Sequence, residues 1–215
     1  MSNSNSNIPL DILEIFTPLS QEVTWLYAEW ELYSQLFLQG ADTSKLLRRF
    51  GKGVFVITQR ILMDSIILTI SRLTDPSHSG GSPHLSLENL YAALNRYGAS
   101  ELSASLRDSK KSIESNKQCF RDIRDSLIAH ADLKRILASP FKSLPPIQKE
   151  MIEKILADIA SLLNTIQGFY DQTETRYHQI QIQGEVHSLL NAFDMAIRYQ
   201  VIVAEEFEKQ TGKKL

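Results

Sequence analysis

Several residue types and patterns that mark common protein classes are scarce in this 215-residue chain. A single cysteine, Cys119, cannot form an internal disulfide, so the disulfide framework typical of small secreted proteins is missing. The opening stretch MSNSNSNIPL has neither the basic nor the apolar segment of a signal peptide. The most apolar stretch, residues 54–70, contains Arg60 and Asp64, which a lipid-facing span rarely carries. We therefore expect a cytoplasmic protein without a membrane helix.

A large excess of charge of either sign is also missing. The formal net charge is −2, and 22% of the residues are charged. Proteins that coat nucleic acid without sequence preference are usually strongly basic. Any contact with nucleic acid is therefore expected to be local.

Strand signals are nearly absent, since no Asn-Gly or Asp-Gly hairpin turn occurs and few segments alternate with period two. The sequence predicts a disordered polar tail over residues 1–8 and a single all-α domain over 9–215, an antiparallel bundle of five to six helices. The helices are predicted at about 10–38 (broken or restarted at Pro18), 44–74, 86–97, from Ser100 to about 138, 147–171 and 185–208.

One short stretch, RDSLIAHAD at residues 124–132, places charged groups around an apolar run on the predicted long helix. Phe120, Ile123 and Leu127 form the apolar stripe of that helix, and Arg124 and His130 flank it. The two flanking residues point in directions about 120° apart, so they do not stack as residues four apart would. If the same helix of a twofold-related copy covered Leu127, two arginines and two histidines would meet in one groove.

Such a groove suits the cleavage of RNA phosphodiester bonds. The 2′-hydroxyl attacks the adjacent phosphorus once a base removes its proton, and histidine titrates near neutrality. Arginine supplies a permanently charged group that matches phosphate oxygens. Asp125 is a candidate for orienting Arg124 or His130, and the chemistry needs no metal. The alternative is an ordinary amphipathic helix on which Arg124 pairs with a surface carboxylate and His130 is half-buried.

The motif resembles the arginine–histidine signature of the HEPN superfamily, in which four to six residues separate the two and a polar residue follows the arginine. Arg124, Asp125 and His130 fit this form with five intervening residues. A second stretch, DSIILTISRLTDP at residues 64–76, is similar to the segment that precedes the motif in the AbiU-type abortive-infection branch.

The resemblance implies a HEPN-like helical homodimer with a composite, metal-independent site that cleaves RNA and leaves 2′,3′-cyclic phosphate ends. Arg124 would contact the phosphate, His130 would act as general acid or base, and Asp125 would orient them. Relatives include toxins and antiviral effectors, with an antitoxin or nucleotidyltransferase as possible partner. Some carry a tyrosine two positions after the histidine, where this chain has Asp132, which puts control by that partner in doubt.

Other polar residues have a structural and a functional interpretation. Asp64 lies within the apolar central helix and is expected to bond Arg60 or to support Arg124. Arg72 and Asp75 are spaced for an ion pair within their helix. Lys117 and Arg121 belong to a locally basic segment that either faces RNA or forms a solvated helix face.

Features of several other enzyme classes are missing. FGKGVF at residues 50–55 lacks the spacing of a phosphate-binding loop, and one cysteine cannot build a zinc knuckle. We predict no metal and no other cofactor. The rival interpretations are a non-catalytic helical module that binds a protein or a nucleotide with the same groove, and an accessory bundle of a defence or antitoxin complex.

Overall fold

The computed structural model describes residues 6–76, 78–79, 82–98, 100–125, 148–180 and 186–212. Over these residues the regular structure is helical apart from one pair of two-residue strands, which confirms the predicted all-α fold class. The described helices are α1 (Leu10–Phe37), α2 (Ala41–Leu73), α3 (Leu87–Arg96), α4 (Ser100–Ser105), α5 (Arg107–Ile123), α6 (Lys149–Asp171) and α7 (Val186–Thr211). A 3-10 turn lies at Tyr177–Gln179, and β1 (His78–Ser79) pairs antiparallel with β2 (Ser82–Pro83).

The described residues form seven α-helices where five to six were predicted. The difference arises because the helix expected from Ser100 is divided at Leu106 into α4 and α5. Backbone bonds still cross the division, since Leu106 N donates to Leu102 O at 3.1 Å. The predicted continuation of this helix beyond residue 125 lies outside the described residues.

The predicted break at Pro18 is wrong, because α1 runs through that residue without interruption. Proline removes one backbone donor from a helix. The neighbouring turns compensate by packing, since Ile12, Phe16, Leu19 and Val23 are all buried on one side of α1. Tertiary burial thus outweighs the local cost of the proline.

Two compact units divide the chain: unit 1 is residues 1–27 and 64–180, and unit 2 is residues 28–63 and 181–215. The boundaries fall within α1 and α2. The expectation of a single domain over residues 9–215 stays a prediction.

Unit 1 contains most of the buried apolar residues. The fully buried side chains of α6 recur at helical spacing, with Ile152, Ile155, Ile159 and Leu163 at 0–1% exposure. α5 lies against α6, where Ser112 Oγ donates to Asp158 Oδ2 at 2.6 Å. This core fixes the position of α5.

Unit 2 consists of parts of α1 and α2 together with α7, and its core is small. Three buried side chains, Leu36, Leu47 and Val186, form its centre, with five partly buried side chains around them (Leu32, Phe37, Phe55, Leu190 and Phe193). Within α2, Gly51 departs from helical geometry.

One of the described helices, α2, is long and apolar enough by length and composition to cross a membrane. Its most apolar 18-residue window has a mean hydropathy of 1.6, and 17% of that window is buried. The expectation that the protein has no membrane helix stays a prediction.

Candidate active site

The candidate site lies in unit 1, where the end of α2 meets the last turn of α5. Thr74 closes α2, because its Oγ1 donates to the backbone oxygens of Ile70 at 2.9 Å and Ser71 at 3.2 Å. Pro76 lacks a backbone donor, so the helix does not continue past it. Asp75 therefore directly follows the last turn of α2, at the point where the chain leaves the helix.

Asp75 holds two arginines of α5 at once. Its Oδ1 lies 3.2 Å from Arg121 Nε, and its Oδ2 accepts a hydrogen bond from Arg124 Nη1 at 2.5 Å. The arginines are three residues apart and thus share one face of the helix. The carboxylate therefore ties the end of α5 to the end of α2.

Each arginine has a second partner. Arg121 Nη2 donates to the backbone oxygen of Thr74, one of the carbonyls that a helix end leaves without an intrahelical partner. Arg124 Nε donates to Asp125 Oδ1 at 2.8 Å. This bond, opposed by desolvation and assisted by the charge of Asp75, raises the pKa of Arg124 above its ordinary value. Arg124 is therefore a permanent cation whose position is set from two sides.

The cluster is partly shielded from water. The side chains of Arg121, Arg124 and Asp75 are 17%, 23% and 26% exposed, whereas that of Asp125 is 57% exposed. The four charges sum to zero. Within the described part of the chain, the hydrogen bonds of Arg124 are made by Nε and Nη1 and not by Nη2. A phosphate oxygen at Nη2 would complete a charge-assisted contact.

Some of the sequence-predicted site residues meet in this cluster. Arg124 and Asp125 are bonded to each other, which is one of the two pairings left open for Asp125. Phe120 and Ile123 are buried, as the predicted apolar stripe requires. His130 lies outside the described residues, as does Leu127, so the proximity of the arginine and the histidine stays a prediction.

Asp75 and Asp64 do not both have the partners that the sequence predicted. The predicted Arg72–Asp75 ion pair is wrong: Arg72 pairs with Glu22 of α1, and Asp75 turns to α5 instead. The helix end explains this, because Asp75 follows the last turn of α2 and its side chain no longer points along the face of Arg72. Asp64 is half-buried, and the carboxylates bonded to Arg124 are those of Asp75 and Asp125.

The two predicted RNA-binding residues, Lys117 and Arg121, are four positions apart on α5 and so lie near one face of it, but they have different partners. Lys117 pairs with Glu114 one turn earlier, and its side chain is 16% exposed. Arg121 points to Asp75 and thus belongs to the cluster. A role of either residue in binding RNA stays a prediction.

Asp75 is the member of the cluster that sequence analysis missed. Two signals pointed to it: arginines three apart on the motif helix need a counter-charge, and an aspartate stands between a helix end and a proline. Neither signal identifies the partner, because the contact joins residues 49 positions apart.

Comparison with known proteins adds one finding. The HEPN_AbiU2 family model, described as AbiU2, matches residues 10–189. Neither the curated proteins nor the solved structures that were searched match the chain significantly. The matched region includes the whole cluster and most of the described helices.

Proposed function

The chain belongs to the AbiU2 family of HEPN proteins, and from that membership we propose that it is a metal-independent endoribonuclease. The family indicates an abortive-infection HEPN-like protein. In the proposed role it acts as a toxin or antiviral effector in the cytoplasm, with RNA as substrate and a homodimer as the active form. The observation that supports this best is Arg124, whose guanidinium is held by Asp125 through Nε and by Asp75 through Nη1.

The proposed reaction is a transesterification within the RNA chain. A base removes the proton of a 2′-hydroxyl, its oxygen forms a bond to the adjacent phosphorus, and the bond from phosphorus to the 5′-oxygen breaks. An acid protonates the leaving 5′-oxygen, so the products are a 2′,3′-cyclic phosphate and a 5′-hydroxyl. Two copies of His130, one from each subunit, would supply the base and the acid.

Arg124 would stabilise the negative charge that builds on the phosphate oxygens during attack. A donor that is already in position costs no reorganisation when the charge develops. Asp75 and Asp125 hold the guanidinium by Nη1 and Nε, so its orientation is set before substrate arrives. We assign both carboxylates, with Arg121, as positioning residues.

A second candidate function is favoured by the charge balance of the cluster. Because the two arginines and two aspartates already neutralise one another, Arg124 would also suit a non-catalytic module in which the ion pairs fix the register of α5 against α2. Such a module would bind a partner, for instance an antitoxin or a nucleotidyltransferase, without turning RNA over.

The test is expression in cells of the wild type, Arg124→Ala and His130→Ala, with growth and RNA termini measured. The proposal predicts growth arrest and new 2′,3′-cyclic ends for the wild type, and the loss of both in each variant. Removing one oxyanion-stabilising donor typically lowers a rate about 10²- to 10³-fold.

Arg72→Ala is the matched control, because it also removes an arginine that pairs with a carboxylate about 50 positions away. It should leave RNA cleavage unchanged. Intact RNA with the wild type, or equal cleavage by all four proteins, would contradict the ribonuclease proposal. Tight partner binding that tolerates His130→Ala would favour the second candidate.

A further inference from the structure

Residues 43–63 of α2 include basic and apolar side chains but no acidic one. Asp42 and Asp64 bound this segment, in a chain whose net charge is −2. Between them lie five basic residues: Lys45, Arg48, Arg49, Lys52 and Arg60. A helix that is both basic and amphipathic is typical of one that lies on a membrane surface. Unit 2 contains the whole segment.

Three aliphatic side chains, each 60–65% exposed, form the α2 stripe: Val54, Ile57 and Ile61. They lie within an arc of about 60° on the helix, and Phe55 and Gln59 lie about 150° away from it. Phe55 packs edge-on against Phe193 of α7. Gln59 Nε2 donates to Tyr33 Oη of α1 at 3.4 Å. The stripe therefore points away from the helices that pack against α2 in unit 2.

Three exposed basic residues precede the stripe along the chain and form the basic group: Arg48, Arg49 and Lys52. Among the described residues, no carboxylate forms an ion pair with this group, and Arg49 Nη2 donates instead to Gln200 Oε1 of α7 at 2.8 Å. Arg48 and Lys52 line a cavity of about 190 Å³ that is also lined by Val56, which is 57% exposed. Cations and an exposed apolar side chain thus meet at one small cavity.

We propose that the basic group and the α2 stripe form a docking surface for an anionic phospholipid bilayer. Lipid phosphates would contact Arg48 and Lys52, and the stripe would enter the boundary between headgroups and acyl chains. Helices of this kind are buried roughly 5–10 Å deep at that boundary. Arg48 and Ile61 are 13 positions apart, which corresponds to roughly 20 Å of helix. This part of α2 would lie in the plane of the membrane.

The remainder of α2 does not suit a membrane crossing. A crossing takes about 20 consecutive, predominantly apolar residues. The later part of α2 belongs to the core of unit 1, where Ile66, Ile70 and Leu73 are 0% exposed. The part of the helix before Asp64 is what remains for contact with lipid. The proposed contact is therefore peripheral.

The acidic residues near the end of α7 lie away from the stripe. Phe193 contacts Phe55 and Gln200 bonds Arg49, so α7 runs antiparallel to this part of α2. Glu205 follows Gln200 and thus lies beyond Arg49. Along the two helices it is roughly 20 Å from the middle of the stripe, more than twice the Debye length of about 8 Å at physiological salt. Its repulsion from an anionic surface is therefore largely screened at the stripe.

Two other occupants fit these side chains less well. RNA would contact the basic group, but aliphatic side chains neither bond phosphates nor stack on bases, so the stripe would stay exposed. A second copy packed through the same surface would bring two basic groups together, and like charges repel. Docking on a bilayer would add to the proposed ribonuclease activity and does not depend on it.

The test is co-sedimentation of the full chain in low salt with phosphatidylcholine vesicles that do or do not contain phosphatidylserine. The wild type should bind the phosphatidylserine vesicles, and it should bind pure phosphatidylcholine roughly tenfold more weakly or less. Ile57→Glu should weaken binding to the anionic vesicles by roughly tenfold or more, because it places a charge in the stripe. Arg48→Gln with Lys52→Gln should weaken it roughly 30-fold, because two charges near the anionic surface are lost.

Both changes have a matched control. Leu10→Glu introduces the same acid at a position that is 74% exposed but lies in unit 1. Arg107→Gln with Lys111→Gln removes an exposed arginine and an exposed lysine that are also four positions apart, on α5. Both controls should bind vesicles like the wild type. Circular dichroism checks that Ile57→Glu keeps its helices. Ile57→Trp covers the case of an unfolded variant, since tryptophan favours the membrane interface and should strengthen binding.

A wild type that stays in solution with anionic vesicles would overturn the proposal, as would binding that tolerates both Ile57→Glu and the paired change at Arg48 and Lys52. Two further results would overturn it by identifying another occupant. One is binding of single-stranded RNA, but not of vesicles, that requires Arg48 and Lys52. The other is an oligomer that Ile57→Glu dissociates, in a protein that binds no vesicles. RNA cleavage is scored separately, so the failure of either proposal is recognised without reference to the other.

Discussion

Replacing Asp75 by asparagine should destabilise the protein more than removal of an ordinary surface ion pair. The change keeps the shape of the side chain but leaves Arg121 and Arg124 without their shared counter-charge. Asparagine retains one oxygen and can bond only one of the two guanidinium groups as before. The remaining two cations would lie on one face of α5 and repel each other.

The expected size follows from how far the cluster is shielded. Exposed pairs contribute about 0–1 kcal/mol, and breaking a fully buried pair costs about 3–5 kcal/mol. The three side chains of the Asp75 cluster are 17–26% exposed, so we expect a loss of about 2 kcal/mol. For a chain of this length, that loss lowers Tm by about 4–8 °C.

Glu22→Gln provides the matched control within unit 1. It removes the partner of Arg72, but those side chains are 36% and 55% exposed, so the expected loss is about 0–1 kcal/mol. Thermal and urea unfolding of both variants in low salt and in 1 M salt would compare them. The Glu22→Gln effect should vanish in high salt, and the Asp75→Asn effect should largely persist, because salt screens exposed pairs far more than shielded ones.

A loss of stability for Asp75→Asn no greater than that for Glu22→Gln would rule out a shared counter-charge for Arg121 and Arg124. So would an undiminished effect of Asp75→Asn in an Arg121→Ala, Arg124→Ala background. In that background the carboxylate has no guanidinium partner in the cluster, so a persistent loss would show that Asp75 acts through another contact.

Two further predictions concern the core of unit 1. Burial, and to a lesser degree the neighbouring Tyr177, raises the pKa of Tyr27 to about 12, so its contribution to stability is complete below pH 10 and is lost as pH rises from 10 to about 12. The free energy of unfolding should therefore fall less over that interval for Tyr27→Phe than for the wild type. Equal slopes of this free energy against pH in the two proteins would contradict the prediction. Leu163 is 0% exposed, so Leu163→Ala should lower the free energy of unfolding in urea by about 2–5 kcal/mol. Leu189 is 40% exposed, so Leu189→Ala should lower it far less. Similar losses in the two variants would contradict the assigned core.

Much of the fold could be predicted because helix patterns are local. Gly40, Gly98 and the residues around Asp171 mark helix ends in the sequence, and the observed ends fall within three residues of the predicted ones at most described boundaries. The failures also have local causes. At Pro18, the burial of neighbouring side chains outweighed the helix-breaking tendency of proline. At Leu106, the sequence pattern is helical on both sides and does not indicate the division between α4 and α5.

The candidate site was predicted less completely than the fold. The spacing of Arg124 and Asp125 to His130 and the resemblance to the HEPN signature singled these residues out, and their role in a site stays a prediction. Asp75 was assigned to Arg72 instead, since spacing along one helix says nothing about a carboxylate that turns toward another helix.

The sequence by itself determined the all-helical class, the apolar side of α5 and the arginine that the HEPN signature requires, because each depends on periodicity or on neighbours within a few residues. Only the tertiary structure decided which charges meet. The pairing of Asp75 with Arg121 and Arg124, and of Arg72 with Glu22, joins residues about 50 positions apart. Such contacts depend on how helices pack in three dimensions, a property that no local pattern encodes.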